Sequence, residues 1–211
     1  MKKINLLSIL VILSFFSFSV SAHVPYFEHT DYSEDSPRII RKMVEQSKAF
    51  YSWLEKDDLN KSDDIDVFEF QVRNRPVRIY VEIIVPVVEE YYKDFVPWYA
   101  VVGPGLPEYN DPLPFDIPEG YGVIVMENIE PGEEREQFYE PFGGKSYYQG
   151  PVLDKNVTES GTYYVYTWDP HELGGDYVLV FGKREIFGLF DIIRALIYTP
   201  MIRRDMELHI Q

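Results

Sequence analysis

The stretch from Gly161 to Glu185 constrains the fold most, because apolar and aromatic side chains alternate with other residues on both sides of a turn. Every second position in each half is large and apolar: Tyr164, Tyr166, Trp168, Tyr177, Leu179 and Phe181. A period of two is typical of a β-strand with one buried face. Asp169-Pro170 and Gly174-Gly175 supply turn residues between the halves. The pattern therefore predicts a β-hairpin.

A second pair of strands is predicted earlier in the chain. Ile65–Val72 places Phe68, Phe70 and Val72 on one face, and Val77–Val85 repeats the alternation with valine and isoleucine. The turn residues Asn74-Arg75-Pro76 separate the two runs. We expect these strands to form an antiparallel pair with a tight connection.

Three other segments have distinct patterns. Ser36-Pro37 resembles a helix start, which predicts a short helix over 37–46. Residues 103–120 contain five prolines and three glycines and are expected to form a long ordered loop. In 186–202, apolar residues recur at near-helical spacing around Asp191 and Arg194, which predicts an amphipathic helix packed on the domain or on a membrane face.

The first 22 residues have the pattern of a secretory signal peptide. Lys2 and Lys3 precede the apolar run Leu6–Val20, and Val20-Ser21-Ala22 has the small-residue spacing of a cleavage site. An uncleaved anchor is the alternative, although the run is shorter than the roughly 20 residues that a crossing needs. We expect a signal peptide (1–22), one β-sandwich domain (23–185) and a helical tail (186–211), in an all-β, antiparallel, jelly-roll-like fold.

Net charge and cysteine content restrict the classes of partner and metal site that the chain is expected to have. The chain has 35 acidic and 20 basic residues, a net charge of −15, and no cysteine. So acidic a chain is not expected to bind nucleic acid or anionic membrane surfaces, whereas calcium, a basic polymer or a cationic partner would suit it. The lack of cysteine excludes disulfides and thiolate metal sites. The leader predicts a secreted, periplasmic or cell-surface location.

Two resemblances support an exported sandwich. The strands from Asp64 to Val72 and from Ser160 to Gly182 resemble jelly-roll domains of the pre-peptidase C-terminal type. Nearly the whole chain after the leader resembles a family of uncharacterised exported archaeal and bacterial proteins. The motifs that carry this second resemblance are His23-Val24-Pro25, Gly103-Pro104-Gly105, Phe138–Phe142 and Gly182-Lys183-Arg184-Glu185-x-Phe187. It implies a sandwich of eight or nine strands outside the cell and no particular activity.

Histidine suggests one metal site. Cleavage after Ala22 would give His23 a free amine beside its imidazole, and the two nitrogens can chelate one copper ion. A second histidine would complete a three-nitrogen brace, for which His171 and His29 are the candidates and His209 lies in the tail. An incidental terminal histidine is the plainer interpretation.

Carboxylates suggest a second metal site. The charged segment before the strand at 65–72 contains five aspartates that could bind calcium through oxygen: Asp57, Asp58, Asp63, Asp64 and Asp66. The segment lacks the spacing of an EF-hand loop. Solvated loop charge is the alternative.

An aromatic cluster is the predicted ligand site. Tyr139, Phe142 and Tyr147 lie close in sequence to the Glu140 carboxylate. Exposed rings beside a few polar groups are typical of surfaces that bind glycans or peptides. The alternative is that these rings fill the core.

Nothing in the sequence indicates a catalytic centre. The nucleophile-elbow, zinc-protease and phosphate-loop motifs are all missing. The sequence therefore predicts a binding or interaction module, with a glycan, a cell-surface polymer or a surface protein as ligand. A copper protein using His23 and a structural envelope component that contacts the membrane through its C-terminal helix are the alternatives.

Overall fold

The chain is mostly β-structure. The computed structural model describes residues 23–41, 43–73 and 76–210, so the predicted signal peptide lies outside the described residues. These residues form eleven strands and two helices: β1 Val24–Phe27, β2 Arg38–Ile39, β3 Lys48–Leu54, β4 Ile65–Val72, β5 Val77–Pro86, α1 Glu89–Tyr92, β6 Trp98–Gly103, β7 Gly122–Met126, β8 Gln137–Glu140, β9 Lys145–Val157, β10 Gly161–Trp168, β11 Gly175–Phe181 and α2 Leu189–Ile202.

Two sheets form a β-sandwich-like fold. One has the order β1-β3-β11-β5-β9-β8 and the other β2-β4-β10-β6-β7. Aromatic side chains join their inner faces: the Phe50 ring lies 5.4 Å from Phe68 across the gap, and Phe181 contacts both. The core therefore consists of alternate residues of each strand. In β10 these are Tyr163 and Val165, so the face predicted to be buried here, Tyr164, Tyr166 and Trp168, points away from the other sheet.

The outer face of the five-stranded sheet is also covered. The predicted long loop is confirmed, since residues 104–121 contain no strand or helix. From this loop the Phe115 ring stacks on Tyr166 at 3.9 Å and meets the edge of Trp168 at 5.5 Å. The loop therefore buries the second face of β10.

Both predicted hairpins are wrong, because their strands belong to different sheets. β10 pairs with β4 and β6, whereas β11 pairs with β3 and β5; likewise β4 and β5 lie in opposite sheets. After β10 the Asp169 carboxylate accepts hydrogen bonds from the backbone N–H groups of His171, Leu173 and Gly174, and this turn carries the chain across the roughly 10 Å between sheets. The two strands of each predicted hairpin therefore lie on opposite sides of the core instead of side by side in one sheet.

The N-terminal helix was also wrongly predicted. Between 37 and 46 no described residue is helical, and Arg38–Ile39 instead pairs in parallel with β4. The Ile40 N–H donates to the Glu69 carbonyl at 2.7 Å, so pairing to a sheet edge satisfies the backbone that a helix would have satisfied. The second parallel pair joins β1 to β3. The antiparallel prediction therefore fails at these two edge strands, and the other strand pairs are antiparallel.

The predicted C-terminal helix is confirmed as α2. It begins at Leu189, three residues later than predicted, because the Asp191 carboxylate accepts a hydrogen bond from the Gly188 N–H at 2.9 Å and caps the helix there.

Candidate functional site

One face of α2 packs against the edge strand β1. The Tyr198 ring stacks on Phe27 at 4.4 Å, and the Arg194 guanidinium lies 4.1 Å from the centre of the Tyr26 ring. Ile202 is fully buried at the end of the helix. These contacts fix which side of the helix faces the sandwich.

Hydrogen bonds hold the start of α2. The Gln46 side-chain amide donates to the Asp191 carboxylate at 3.1 Å and to the Ile186 carbonyl at 2.6 Å. Asp191 is buried, so the acidic side chain of the first turn does not face solvent. The helix is therefore anchored at its first turn as well as along its length.

The opposite side of α2 is apolar and exposed. Six large side chains there are 44–80% accessible: Leu189, Phe190, Ile192, Ile193, Leu196 and Ile197. We call this set the apolar face of α2. Spacings of three and four residues make them neighbours on the helix surface. A contiguous exposed patch of this kind marks an interaction surface.

Basic residues flank this apolar face. Residues 183–204 contain five basic residues and two acidic ones, a local net charge of +3 in a chain of net charge −15. The basic residues are Lys183, Arg184, Arg194, Arg203 and Arg204. Four of them are exposed, and Arg194 is partly exposed. Arg203 lines the same cavity as Leu196, whereas Lys183 lies 3.9 Å from Asp154 and Arg184 lies 3.7 Å from Glu45, so part of this charge is paired.

Two cavities share His23 and Phe142 in their linings. One, about 460 Å³, adjoins α2, with Leu196 and Pro200 on the helix side. The other, about 120 Å³, extends to Tyr147. The structure thus brings the predicted N-terminal histidine and part of the predicted aromatic site next to α2.

The predicted aromatic site is only partly accessible. Tyr139 is exposed and Phe142 lines both cavities, whereas Tyr147 is 1% exposed and belongs to the interior. The Glu140 carboxylate accepts hydrogen bonds from the Phe142 N–H at 2.8 Å and from the Gly143 N–H, so it stabilises the turn after β8. Glycan binding at these residues stays a prediction.

The histidines proposed for copper are not brought together. His23 precedes β1 at the Lys48 end of β3, and its Nδ1 lies 2.5 Å from Ser47 Oγ. His171 lies in the turn beside the Leu54 end of β3, and His29 follows β1 at that same end. The six residue steps between those ends span roughly 20 Å. His209 stacks on Trp53, also away from His23.

The buried imidazole of His23 should make the free energy of unfolding depend on pH below neutrality. Burial lowers the pKa of His23 to about 4. The unfolded state would take up this proton near pH 6.5 and the folded state only near 4, so stability is lost as pH falls through that window. We expect the His23 imidazole to contribute a loss of up to about 3 kcal/mol in the free energy of unfolding between pH 7 and 4.5, measured as the difference between urea titrations of the unsubstituted chain and of His23→Gln.

His23→Gln should reduce this loss, whereas His29→Gln, which changes an exposed histidine, should preserve it. Equal pH dependence in His23→Gln and the unsubstituted chain would contradict the assignment.

The aspartates proposed for calcium are dispersed. Asp57 Oδ1 accepts hydrogen bonds from the backbone N–H groups of Leu59 and Lys61 at 2.8 and 2.9 Å. Asp64 Oδ2 accepts one from the Glu55 N–H at 2.7 Å. These two carboxylates organise the loop itself. Asp66, in contrast, lies inside β4 and is fully buried.

Asp66 belongs to a different acidic cluster. Within the described ranges, one set of at least three metal-ligating side chains has its ligand atoms within 4.8 Å of one another: Glu28, Asp31 and Asp66. Sequence reasoning missed Glu28 and Asp31, which lie 35 or more positions before Asp66. One signal was available, since Asp66 shares the parity of Phe68 and Phe70 and therefore had to point into the core.

Comparisons with known proteins add no assignment. No protein-family model matches the chain, and no curated protein matches it in sequence. Neither helix in the part of the chain that the structure describes has the length and hydropathy of a bilayer-crossing segment.

Proposed function

We propose that this chain is an exported envelope protein that docks on an anionic lipid surface through the apolar face of α2. The observation that carries the proposal is the orientation of this helix. One side is fixed on β1, while six large apolar side chains remain directed away from the sandwich. An amphipathic helix with such a face lies in the plane of the lipid interface.

Charge favours a lipid surface over other apolar partners. The segment 183–204, which carries the apolar face, has a net charge of +3, while the rest of the chain is strongly acidic. Each Lys or Arg near an anionic surface contributes about 1 kcal/mol of attraction, and the acidic body is repelled. This distribution would orient the protein with α2 toward the headgroups and the sandwich away from them.

Dimensions support a helix that lies on the membrane. The 14 residues of α2 span about 21 Å, less than the roughly 30 Å of a hydrocarbon core.

We further propose that the sandwich is a jelly roll. Without the edge strands β1, β2 and β8, the sheet orders are β3-β11-β5-β9 and β4-β10-β6-β7. A jelly roll of eight strands has this alternation, with its first strand beside its last and its second beside its seventh. Structures of homologous proteins would test this assignment, and a different order of these eight strands would reject it.

Vesicle binding tests the membrane proposal. A chain that begins at His23, so that the apolar leader contributes nothing, should co-sediment with phosphatidylglycerol vesicles and less with phosphatidylcholine vesicles. Raised salt should weaken the binding. Phe190→Ser with Leu196→Ser should weaken it at least about tenfold, because a large apolar side chain contributes roughly 1.5–3 kcal/mol when buried.

Leu59→Ser is the matched control for Leu196→Ser, since both leucines are highly exposed but Leu59 lies in the loop after β3. It should leave vesicle binding unchanged. A chain that ignores vesicles but forms a dimer that Phe190→Ser and Leu196→Ser dissociate would show that a second copy, rather than lipid, covers the helix.

A further inference from the structure

The cluster of Glu28, Asp31 and Asp66 lies on the far end of β1 from His23. Glu28 follows β1, Asp31 lies in the next loop, and Asp66 comes from β4 in the other sheet. Glu28 and Asp66 are buried, and Asp31 is exposed at the mouth of the cluster. The cluster therefore joins the edge strand of one sheet to the second strand of the other, and its Asp31 side is exposed to solvent.

Two buried polar atoms at this cluster lack a hydrogen bond of standard geometry. Asp66 Oδ2 accepts a hydrogen bond from the Tyr177 hydroxyl at 2.5 Å, whereas Asp66 Oδ1 has none of standard geometry, although the Tyr32 backbone N–H lies beside this fully buried carboxyl. Ser52 Oγ, beside the Glu28 carboxyl, is also buried without a hydrogen bond of standard geometry. An unsatisfied carboxylate oxygen in the interior costs about 1–3 kcal/mol or more unless something binds it.

Like charge adds to this cost. Glu28 and Asp66 are buried, and their carboxyl oxygens lie within 4.8 Å of each other and of Asp31, so ionising them together is costly without a cation. The charged neighbours that act most on both groups are carboxylates, namely Asp31 and Asp64 besides each other. A cation held among them would replace the missing positive charge.

We propose that Glu28, Asp31 and Asp66 bind one calcium-like divalent cation. All three ligands are hard oxygens, which suit Ca²⁺ rather than copper or zinc. Oxygens on opposite sides of a Ca²⁺ ion lie roughly 5 Å apart, so groups within 4.8 Å of one another can share it. Up to six carboxylate oxygens, Ser52 Oγ and water at the Asp31 side supply the usual six to eight ligands.

This site is independent of the membrane proposal, because none of its ligands belongs to α2. It also differs from the loop aspartates predicted from sequence, of which it keeps only Asp66. A bound cation would stabilise the fold, since it would link the segment after β1 to β4.

Metal titration tests the site in the chain that begins at His23, freed of metal beforehand. We expect 5 mM CaCl₂ to raise the Tm by roughly 5 °C and calorimetry to give one site per chain. Tb³⁺ should show emission sensitised by Trp53, whose backbone N–H contacts the Glu28 carboxylate. Asp66→Asn should abolish these responses.

Asp31→Asn keeps the test decisive if Asp66→Asn does not fold, because Asp31 is exposed. It should retain the metal-free Tm and lose the calcium response, whereas Asp58→Asn, an exposed loop acid, should keep that response. No calcium effect in the unsubstituted chain, or equal effects in Asp31→Asn and Asp58→Asn, would overturn the proposal.

Discussion

Replacing Phe181 with alanine should lower the free energy of unfolding by about 3–5 kcal/mol. The Phe181 ring, on β11, lies 5.6 Å from Phe50 in its own sheet and 5.9 and 6.2 Å from Phe68 and Phe70 in the opposite sheet. Its removal leaves a cavity where the sheets meet, and the surrounding rings can fill it only partly. Urea unfolding monitored by circular dichroism measures the loss.

Phe190→Ala is the matched control, since it makes the same chemical change at a ring that is largely exposed on α2. Its effect on stability should stay within about 0.5 kcal/mol. A loss below about 1 kcal/mol for Phe181→Ala would mean that the two sheets do not pack through this ring.

Gly182→Ala should cost about 3 kcal/mol or prevent folding. Gly182 directly follows β11 with φ +65°, where a side chain is strained. An added Cβ would also lie 2.6 Å from the Gln46 carbonyl oxygen and closer still to the Glu45 carbonyl. These are backbone atoms, so no flexible side chain can move aside. Thermal and urea unfolding of the purified variant measure the loss.

Gly120→Ala separates the two causes. Gly120 also has positive φ, +79°, but an added Cβ would have no neighbour within 4 Å. It should therefore cost only the backbone strain, about 1–2 kcal/mol. Equal losses at both positions would show that the contact with 45–46 contributes nothing.

Alternation in the sequence predicted the strands but not their partners. The core faces of β4, β5 and β11 are as predicted, because the period of two depends only on which face is buried. In β10 the alternation is present, but Tyr163 and Val165 face the core while Tyr166 and Trp168 face the covering loop. Which strands pair depends on whether the chain turns back within one sheet or crosses to the other sheet. Turn residues such as Asp169 and Gly174 are compatible with either connection. The helix at 37–46 was wrongly predicted because a cap signal could not outweigh an available sheet edge at Glu69.

The candidate sites were predictable to different degrees. The pattern of 186–202 indicated an amphipathic helix, but only packing decides that Tyr198 and Arg194 face β1 while Phe190 and Leu196 face outward. The cluster at Asp66 depends on contacts between segments far apart in sequence, and no local pattern carries that information.

The order of strands along the chain governs when the protein can fold during its synthesis. β10 is the neighbour that joins β4 to β6, and β11 joins β3 to β5. Both are made after residue 160, so a nascent chain that ends there holds four separate groups of strands and neither complete sheet. Neither sheet can therefore close until most of the polypeptide has left the ribosome.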